Sequence, residues 1–259
     1  MTRTDHDREL FDRIADSYAR KDIETASSHA REYQLRMAVE PALADGSRIG
    51  TLVEIGCGVA GPARYLAGSY DRYVGIDHSR ELVAAARNLH RDNAAAVFHC
   101  ADVLDVDWLR HEADLVLAVG ALHHMPHLDR VLTTLAGFAK SGGWLILVEP
   151  LRSNPLIGML RFLRRRLDSG YSREQVFFRR GELARLVGNA GFEEIEVVYQ
   201  GYLSTPFAQV VLPLKPISRL GAGVAVAVDR FIDRRLGSLL GPLAWNQIVR
   251  ARVRHERSP

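Results

Sequence analysis

The stretch TLVEIGCGVAGPARYLAG, residues 51–68, runs from a short apolar segment through glycines into a helical pattern. Gly56, Gly58 and Gly61 give it the spacing G-x-G-x-x-G. Glycines at such a place let the chain turn sharply after a strand and let a ligand approach the backbone closely. The stretch therefore predicts a nucleoside cofactor at the open end of a strand, although a turn that only packs a helix on a sheet can have the same spacing.

Downstream of this stretch, apolar strand-like runs alternate with amphipathic helical segments. Such alternation is typical of βαβ units, in which helices cover both faces of a parallel sheet. We predict an α/β protein with a Rossmann-like, doubly wound, mostly parallel seven-stranded sheet. Strands are predicted at residues 51–55, 72–77, 95–100, 114–120, 144–150, 193–200 and 244–253. Helices are predicted at 5–20, 27–43, 61–68, 79–90, 127–140 and 181–192.

Acidic residues at the strand ends bear on which cofactor the loop holds. Glu54 comes two residues before Gly56, where a carboxylate suits a cationic ammonium or sulfonium and repels a pyrophosphate. Asp77 ends the second strand and can accept from two ribose hydroxyls, which a dinucleotide site would also require. Asp102 ends the third strand and can accept from an exocyclic adenine amine. These positions favour a cationic nucleoside cofactor over a dinucleotide.

Five motifs together resemble the class I S-adenosylmethionine-dependent methyltransferases, over roughly residues 8–200. They are VEIGCGVAG, VGIDHS, HCADVLD, ADLVLAVGALHHMPHLDRVL and SGGWLILVEP. The first departs from the family pattern because Ala60 stands where a third glycine is common, and Gly61 follows it. FDRIADSYA, residues 11–19, is similar to the N-terminal lid helix of the UbiE-like, type 11 subgroup. The resemblance implies a methyltransferase that uses S-adenosylmethionine.

The resemblance also implies cofactor-binding roles for residues of the lid and of the first four strand ends. Glu54 would lie near the methionine amino group and Asp77 would hold the ribose. Asp102, with the Val103 amide, would recognise adenine, whereas Cys57 would be a small filler and not a nucleophile. The complete predicted set is Tyr18, Glu54, Gly56, Cys57, Gly58, Asp77, His78, Asp102, Val103 and Gly120.

Histidines after the fourth strand are the candidate catalytic residues. Methyl transfer to oxygen benefits from a general base, and histidine titrates near the working pH. His124 is the first candidate, His123 the second and His127 a weaker one; the alternative for each is a capping or loop-holding role. Glu149, at the end of the fifth strand, either faces the substrate or anchors this loop.

The resemblance predicts one methyltransferase domain over residues 1–259. Within it we expect N-terminal lid helices at 1–48 and a cofactor-binding core at 49–200. A helical insertion that covers the substrate is expected at 201–243, before a closing strand at 244–254.

The second half of the chain has two features that suggest a partner. Residues 156–167, LIGMLRFLRRRL, form a predicted basic amphipathic helix, which is either a solvated surface helix or a contact with a membrane surface. Residues 203–240 are apolar, with a helical stripe that suits a substrate lid, a dimer face or a membrane-docking patch. The acceptor expected from these features is a small molecule or a lipid-linked molecule, methylated at a hydroxyl.

Composition and missing motifs exclude several classes of protein. Two cysteines are too few for a disulfide framework or a Cys-built zinc site, so we expect no metal and a cytoplasmic location, extending to the inner membrane face. No signal-peptide h-region and no run of about 18 apolar residues is found. Nucleic acid is disfavoured as a partner, since no Asn-Pro-Pro motif follows the fourth strand and no Pro-Cys pair is present.

Two other functions remain open at this point. An NAD(P)-binding oxidoreductase would use the same glycine loop, but Glu54, Asp102 and the lack of a Tyr-x-x-x-Lys motif argue against it. A catalytically silent methyltransferase fold that serves as a binding protein is the second. The intact set of glycines and acidic residues argues against a silent site. The oligomeric state is left open.

Overall fold

A seven-stranded sheet organises the computed structural model, which describes residues 8–13, 15, 25–152, 154, 178–205 and 215–254. Its strands are β1 (Ile49–Ile55), β2 (Tyr70–Asp77), β3 (Ala96–Cys100), β4 (Ala113–Val119), β5 (Ala139–Pro150), β6 (Phe192–Gln200) and β7 (Asn246–Val253). The helices are α1 (Thr25–Val39), α2 (Gly61–Tyr65), α3 (Arg80–Leu89), α4 (Leu128–Phe138), α5 (Glu182–Asn189), α6 (Lys215–Arg235) and α7 (Gly237–Leu240). Residues 8–13 are also helical.

The sheet confirms the predicted fold class. Its strand order is β3-β2-β1-β4-β5-β7-β6, and all pairs from β3 to β5 are parallel, whereas β7 runs antiparallel to both of its neighbours. The chain leaves β1 towards β2 on one side and later places β4 on the other. The carboxyl ends of β1 and β4 therefore flank the topological switch point, where ligands bind in open α/β sheets.

Two apolar layers enclose the sheet. On one face, α4 and α5 bury residues such as Leu132, Phe138 and Leu183 against the strands. On the other face, α1 and α3 bury Leu35 and Val83. The central strands are apolar on both sides because both of their faces are covered. No helix in the described part of the chain is both long enough and apolar enough to cross a membrane.

Element boundaries differ from the predictions in a few places. The predicted helix 27–43 ends as α1 at Val39, because Pro41 opens a 3-10 turn over Glu40–Gly46. α2 ends at Tyr65, three residues short of the predicted 68, and β5 begins at Ala139 instead of 144.

Three predicted features lie outside the described residues: Tyr18, the basic helix 156–167, and residues 206–214 of the apolar segment. The four-part domain layout stays a prediction.

A buried arginine joins α1 to the sheet. Arg250 on β7 donates from Nε to the carbonyl of Ala38 at 3.2 Å and from Nη2 to the carbonyl of Met37. Its Nη1 donates to Glu196 at 2.9 Å. The carbonyls at the end of a helix lack partners within the helix, so this guanidinium satisfies the last turn of α1 from the sheet side.

β6 forms one free edge of the sheet and is irregular. Its pairing with β7 shifts register between Glu193 and Glu196, and Glu194 between them has φ of +52°. Positive φ is uncommon outside glycine and here accompanies the shift in register. The edge therefore presents a bulge and three glutamates to its surroundings.

Candidate active site

A cavity opens at the carboxyl ends of β1, β2 and β4. Its walls come from the glycine turn after β1, the end of β2, the loops after β3 and β4, and the helical residues 8–13. It brings together eight of the predicted site residues: Gly56, Gly58, Asp77, His78, Asp102, Val103, Gly120 and His124. The rest of the wall is largely apolar, so the cavity combines two carboxylates with a water-excluding surface.

The glycine turn makes room that no other residue would leave. Gly56 and Gly58 have φ of +64° and +53°, in the left-handed region. A Cβ added at Gly56 would lie 2.5 Å from the Cβ of Ala121, which belongs to the loop after β4. The turn and that loop are therefore in direct contact, and only a glycine at position 56 lets them pack this closely.

Asp77 connects the end of β2 to the glycine turn. Its Oδ2 accepts from the Gly58 amide at 2.8 Å, and its Oδ1 accepts from the Ser79 amide at 2.9 Å. Burial raises the pKa of Asp77 above its ordinary value, while the hydrogen bonds from Ser79 and Gly58 oppose that rise. A carboxylate oxygen has more than one acceptor position, so Asp77 can still accept from ligand hydroxyls in the cavity.

Asp102 holds the loop after β3 in a similar way. Its Oδ1 accepts from the Leu104 amide at 2.9 Å and caps the 3-10 turn Val103–Asp105. This brings a second carboxylate and Val103 to the cavity that Asp77 also lines. An acidic group for ribose hydroxyls and a second group for an exocyclic amine fit an adenosine-type ligand. Among the described residues, no three His, Cys, Asp or Glu side chains are grouped to hold a metal ion.

The helical residues 8–13 cover part of the cavity. Asp12 accepts a hydrogen bond from the Ser79 hydroxyl, which ties the segment to the start of α3. Phe11 contacts His124 edge-to-face with ring centroids 5.1 Å apart, and His78 at 6.4 Å. An aromatic side chain of the N-terminal segment thus contacts both histidines that line the cavity.

The two adjacent histidines occupy different environments. His123 is buried, and its Nδ1 lies 2.8 Å from Oε2 of Glu149. The other oxygen of Glu149 accepts from the amides of Ala121 at 3.0 Å and Leu122 at 2.8 Å. His124 lines the cavity, whereas His127, the residue before α4, has φ of +54° and does not. The geometry thus gives Glu149 the loop-anchoring role and makes His124 the one of the three candidate catalytic histidines that a ligand can touch.

Glu54 and Cys57 lie away from the cavity wall. The Glu54 carboxylate is buried and accepts a hydrogen bond from the Tyr73 hydroxyl on β2. The Cys57 thiol is buried too, and its pKa is raised by burial and then by Asp77 and Glu54. A raised pKa keeps the thiol protonated and suits a filler. The predicted role of Glu54 near the methionine amino group stays a prediction, because Glu54 does not line the cavity.

The apolar part of the wall includes residues for which the motifs assign no role. Ile76, Ala101, Leu104 and Met125 line the cavity together with Phe11. Phe11 belongs to the lid motif, but nothing in its spacing indicates which histidine it meets. The other four residues lie at or after the ends of strands. Only this placement in the sequence could have indicated that they line the cavity.

Residues 53–147 match a protein-family model described as "Methyltransferase domain". The chain is 30% identical over 141 residues to a chloroplastic tocopherol O-methyltransferase of Arabidopsis thaliana, covering 49% of this chain and 39% of that protein. It is 30% identical over 107 residues to a fatty-acid O-methyltransferase of Mycolicibacterium smegmatis, covering 40% of this chain and 38% of that one. The chain thus spans about two fifths of the length of these curated relatives.

Solved structures of low sequence identity share the fold. One is an S-adenosylmethionine-dependent methyltransferase of Thermotoga maritima, described as a possible histamine N-methyltransferase. It has a TM-score of 0.65 and 19% identity, covering 94% of this chain and 98% of that one. A phosphoethanolamine N-methyltransferase of Haemonchus contortus in complex with S-adenosylhomocysteine gives a TM-score of 0.57 at 15% identity, covering 85% of this chain and 52% of that one.

Proposed function

We propose that this chain transfers methyl groups to an oxygen of a small or lipid-linked acceptor. Its residues 53–147 match a methyltransferase domain, and its fold is that of class I, S-adenosylmethionine-dependent methyltransferases. The observation that carries the proposal is a single cavity that contains the glycine turn, Asp77, Asp102 and His124. The UbiE-like subgroup remains a prediction, as does the acceptor.

The described contacts support the proposed cofactor half of the site. S-adenosylmethionine, when bound, supplies a methyl group that is already activated on a sulfonium. Asp77 accepts from ribose hydroxyls, and Asp102 with the Val103 amide binds the adenine edge. Gly56 lets the turn pack directly on Ala121, so that both loops line the cavity. These are the same residues that the motif resemblance nominates.

His124 is the residue proposed to remove a proton from the acceptor. A neutral imidazole in the cavity can accept the hydroxyl proton as the oxygen becomes a nucleophile. His123 is a positioning residue, because its bond to Glu149 holds the loop on which His124 lies. If the acceptor is a carboxylate, no proton needs removing, and His124 serves only to orient it.

The apolar wall supports an acceptor with a hydrophobic body. Phe11 and Met125 narrow the cavity and exclude water, which favours alignment of the reacting atoms. Two relatives are named as O-methyltransferases of tocopherol and of fatty acids, both largely apolar molecules. An acceptor of this kind is the first to test.

Cofactor specificity is tested by calorimetric titration with S-adenosylhomocysteine and, separately, NADH. Wild type should bind only the first, and Asp77→Asn should weaken that binding about tenfold or more, since hydrogen bonds to charged groups contribute about 1.5–3 kcal/mol. Asp71→Asn, at an exposed site on the same strand, is the matched control. Binding of NADH alone would support the oxidoreductase alternative and reject the proposal.

Turnover is tested with isotopically labelled S-adenosylmethionine and two acceptor panels, long-chain fatty acids and hydroxylated prenyl lipids. For a hydroxyl acceptor, His124→Ala should lower kcat by about 100-fold or more, a typical contribution of a general base. His29→Ala, on exposed α1 surface, should have no effect. Cofactor binding without turnover on any acceptor would favour the silent-fold alternative.

A further inference from the structure

The outward side of α6 is apolar, which is unusual for a helix on a protein surface. Leu220, Val224 and Phe231 are 73%, 58% and 63% exposed, and Val228 lies beside them. Leu239 and Leu243 extend the same apolar exposure beyond α6. We call these six residues the α6 face. Contiguous exposed apolar patches of this kind mark interaction sites.

The orientation of α6 is fixed by its inward side. Ala222, Ala225 and Val226 are buried, and Val226 packs with Ala30 and Tyr33 of α1. Asp229 is fully buried, and its carboxylate accepts from the amides of residues 202–204 at 2.9–3.1 Å and from the Ser204 hydroxyl at 2.6 Å. The helix cannot rotate its apolar residues inward without breaking these bonds.

Charges on α6 are sorted between its two sides. Asp229 points inward, and Asp233 accepts from the Tyr33 hydroxyl, also on the inner side. Arg230, Arg234 and Arg235 are exposed, and within the described residues none of them forms an ion pair. Arg230 also lies over the Tyr33 ring, with its guanidinium carbon 5.2 Å from the ring centroid. The exposed part of the described helix therefore carries apolar and cationic side chains without an acidic one.

The loop that α6 binds starts at the edge of the sheet where the cavity opens. β6 runs parallel to β5, so its carboxyl end at Gln200 lies at the edge where β1, β2 and β4 also end. The loop 201–204 leaves that edge and is bound by Asp229. The inward side of α6 is thus bound to that edge, and the α6 face lies on the other side of the helix.

We propose that the α6 face docks on the surface of a membrane that contains anionic lipids. Its apolar side chains would lie at the boundary of headgroups and acyl chains, and Arg230, Arg234 and Arg235 would contact lipid phosphates. A second copy of the chain fits less well, because two such faces would bring six arginines together without a carboxylate to neutralise them. This docking is independent of which acceptor, if any, the cavity methylates.

Vesicle co-sedimentation of the full chain tests the proposal. Vesicles of phosphatidylcholine with 30% phosphatidylglycerol should bind the protein, and pure phosphatidylcholine vesicles should bind it at least about tenfold more weakly, because each arginine near an anionic surface contributes about fivefold. The double variant Val224→Glu/Phe231→Glu should lose binding to both. Arg234→Gln/Arg235→Gln should lose the preference for phosphatidylglycerol and keep the residual binding.

Val97→Glu is the matched control, since Val97 is an exposed valine on the opposite edge strand β3, and it should bind vesicles as wild type does. Each variant is first checked for an unchanged melting temperature and unchanged binding of S-adenosylhomocysteine. The proposal is overturned if wild type binds neither vesicle, or if Val97→Glu is as impaired as the double variant. A dimer in light scattering that the double variant dissociates, without vesicle binding, would assign the face to self-association instead.

Discussion

Replacing Glu149 should disrupt the loop after β4 more than any single change in the cavity itself. This carboxylate is fully buried and accepts from the Ala121 and Leu122 amides and from His123. Glu149→Ala leaves three buried donors without an acceptor and leaves a void beside β5. Glu149→Gln keeps one carbonyl oxygen for the two amides and changes only the atom that faces His123.

The magnitudes follow from the cost of unsatisfied buried groups. An unpaired buried donor costs about 1–3 kcal/mol, and breaking a buried charged pair costs about 3–5 kcal/mol. We therefore expect Glu149→Ala to lower the free energy of unfolding by about 4 kcal/mol. We expect about 1 kcal/mol for Glu149→Gln, because the imidazole of His123 can adopt the tautomer in which Nδ1 accepts.

Urea denaturation measures the stability of both Glu149 variants, of His123→Ala and of the double variant Glu149→Ala/His123→Ala. The double-mutant cycle then gives the coupling energy between the side chains of Glu149 and His123. A coupling of about 1 kcal/mol or more is expected for groups in direct contact. Because the loop also carries His124, Glu149→Gln should lower kcat more than it changes the affinity for S-adenosylhomocysteine. A loss below about 0.5 kcal/mol for Glu149→Ala would refute this account of the loop.

Three further changes test other parts of the structure. Gly56→Ala should destabilise the fold by about 2 kcal/mol or more and weaken binding of S-adenosylhomocysteine, because its Cβ would displace the loop after β4. Gly68→Ala, which also has a positive φ but lies in open space, should cost only about 1 kcal/mol in thermal unfolding. Arg250→Met should lower stability in urea by about 3 kcal/mol, because α1 loses its terminal partners; a change within error would contradict that role. Burial raises the pKa of Asp233 to about 7, so this group should make wild-type stability fall as pH rises from about 4 through 7. Asp233→Asn should show a weaker dependence than wild type over that range, and equal pH profiles of the melting temperature would contradict this prediction.

Local patterns in the sequence were sufficient for the cofactor half of the site. The glycine turn and the aspartates at the ends of β2 and β3 can be located because strand ends in a parallel sheet meet at one edge. Asp77 can be located without knowledge of tertiary contacts, because its hydrogen-bond partners Gly58 and Ser79 belong to the glycine motif and to the motif at the end of β2.

Other contacts depend on register and on long-range packing. Glu54 meets Tyr73 diagonally across β1 and β2, and the pairing of the two strands decides this contact. Glu149 reaches a loop 26–28 residues earlier in the chain because β5 lies directly beside β4. The contact of Phe11 with His124 joins segments more than a hundred residues apart. None of these is determined by periodicity or by residue type.

The irregular edge at β6 has a consequence for how this molecule behaves at high concentration. An unprotected outer strand offers a row of amides and carbonyls to any other extended chain, and identical molecules can then join sheet to sheet. Here the left-handed Glu194 interrupts that row of backbone groups. Deleting Glu194, which would straighten the bulge and leave the bond between Glu196 and Arg250 in place, should convert a monodisperse preparation into one that forms fibrils, as measured by thioflavin fluorescence.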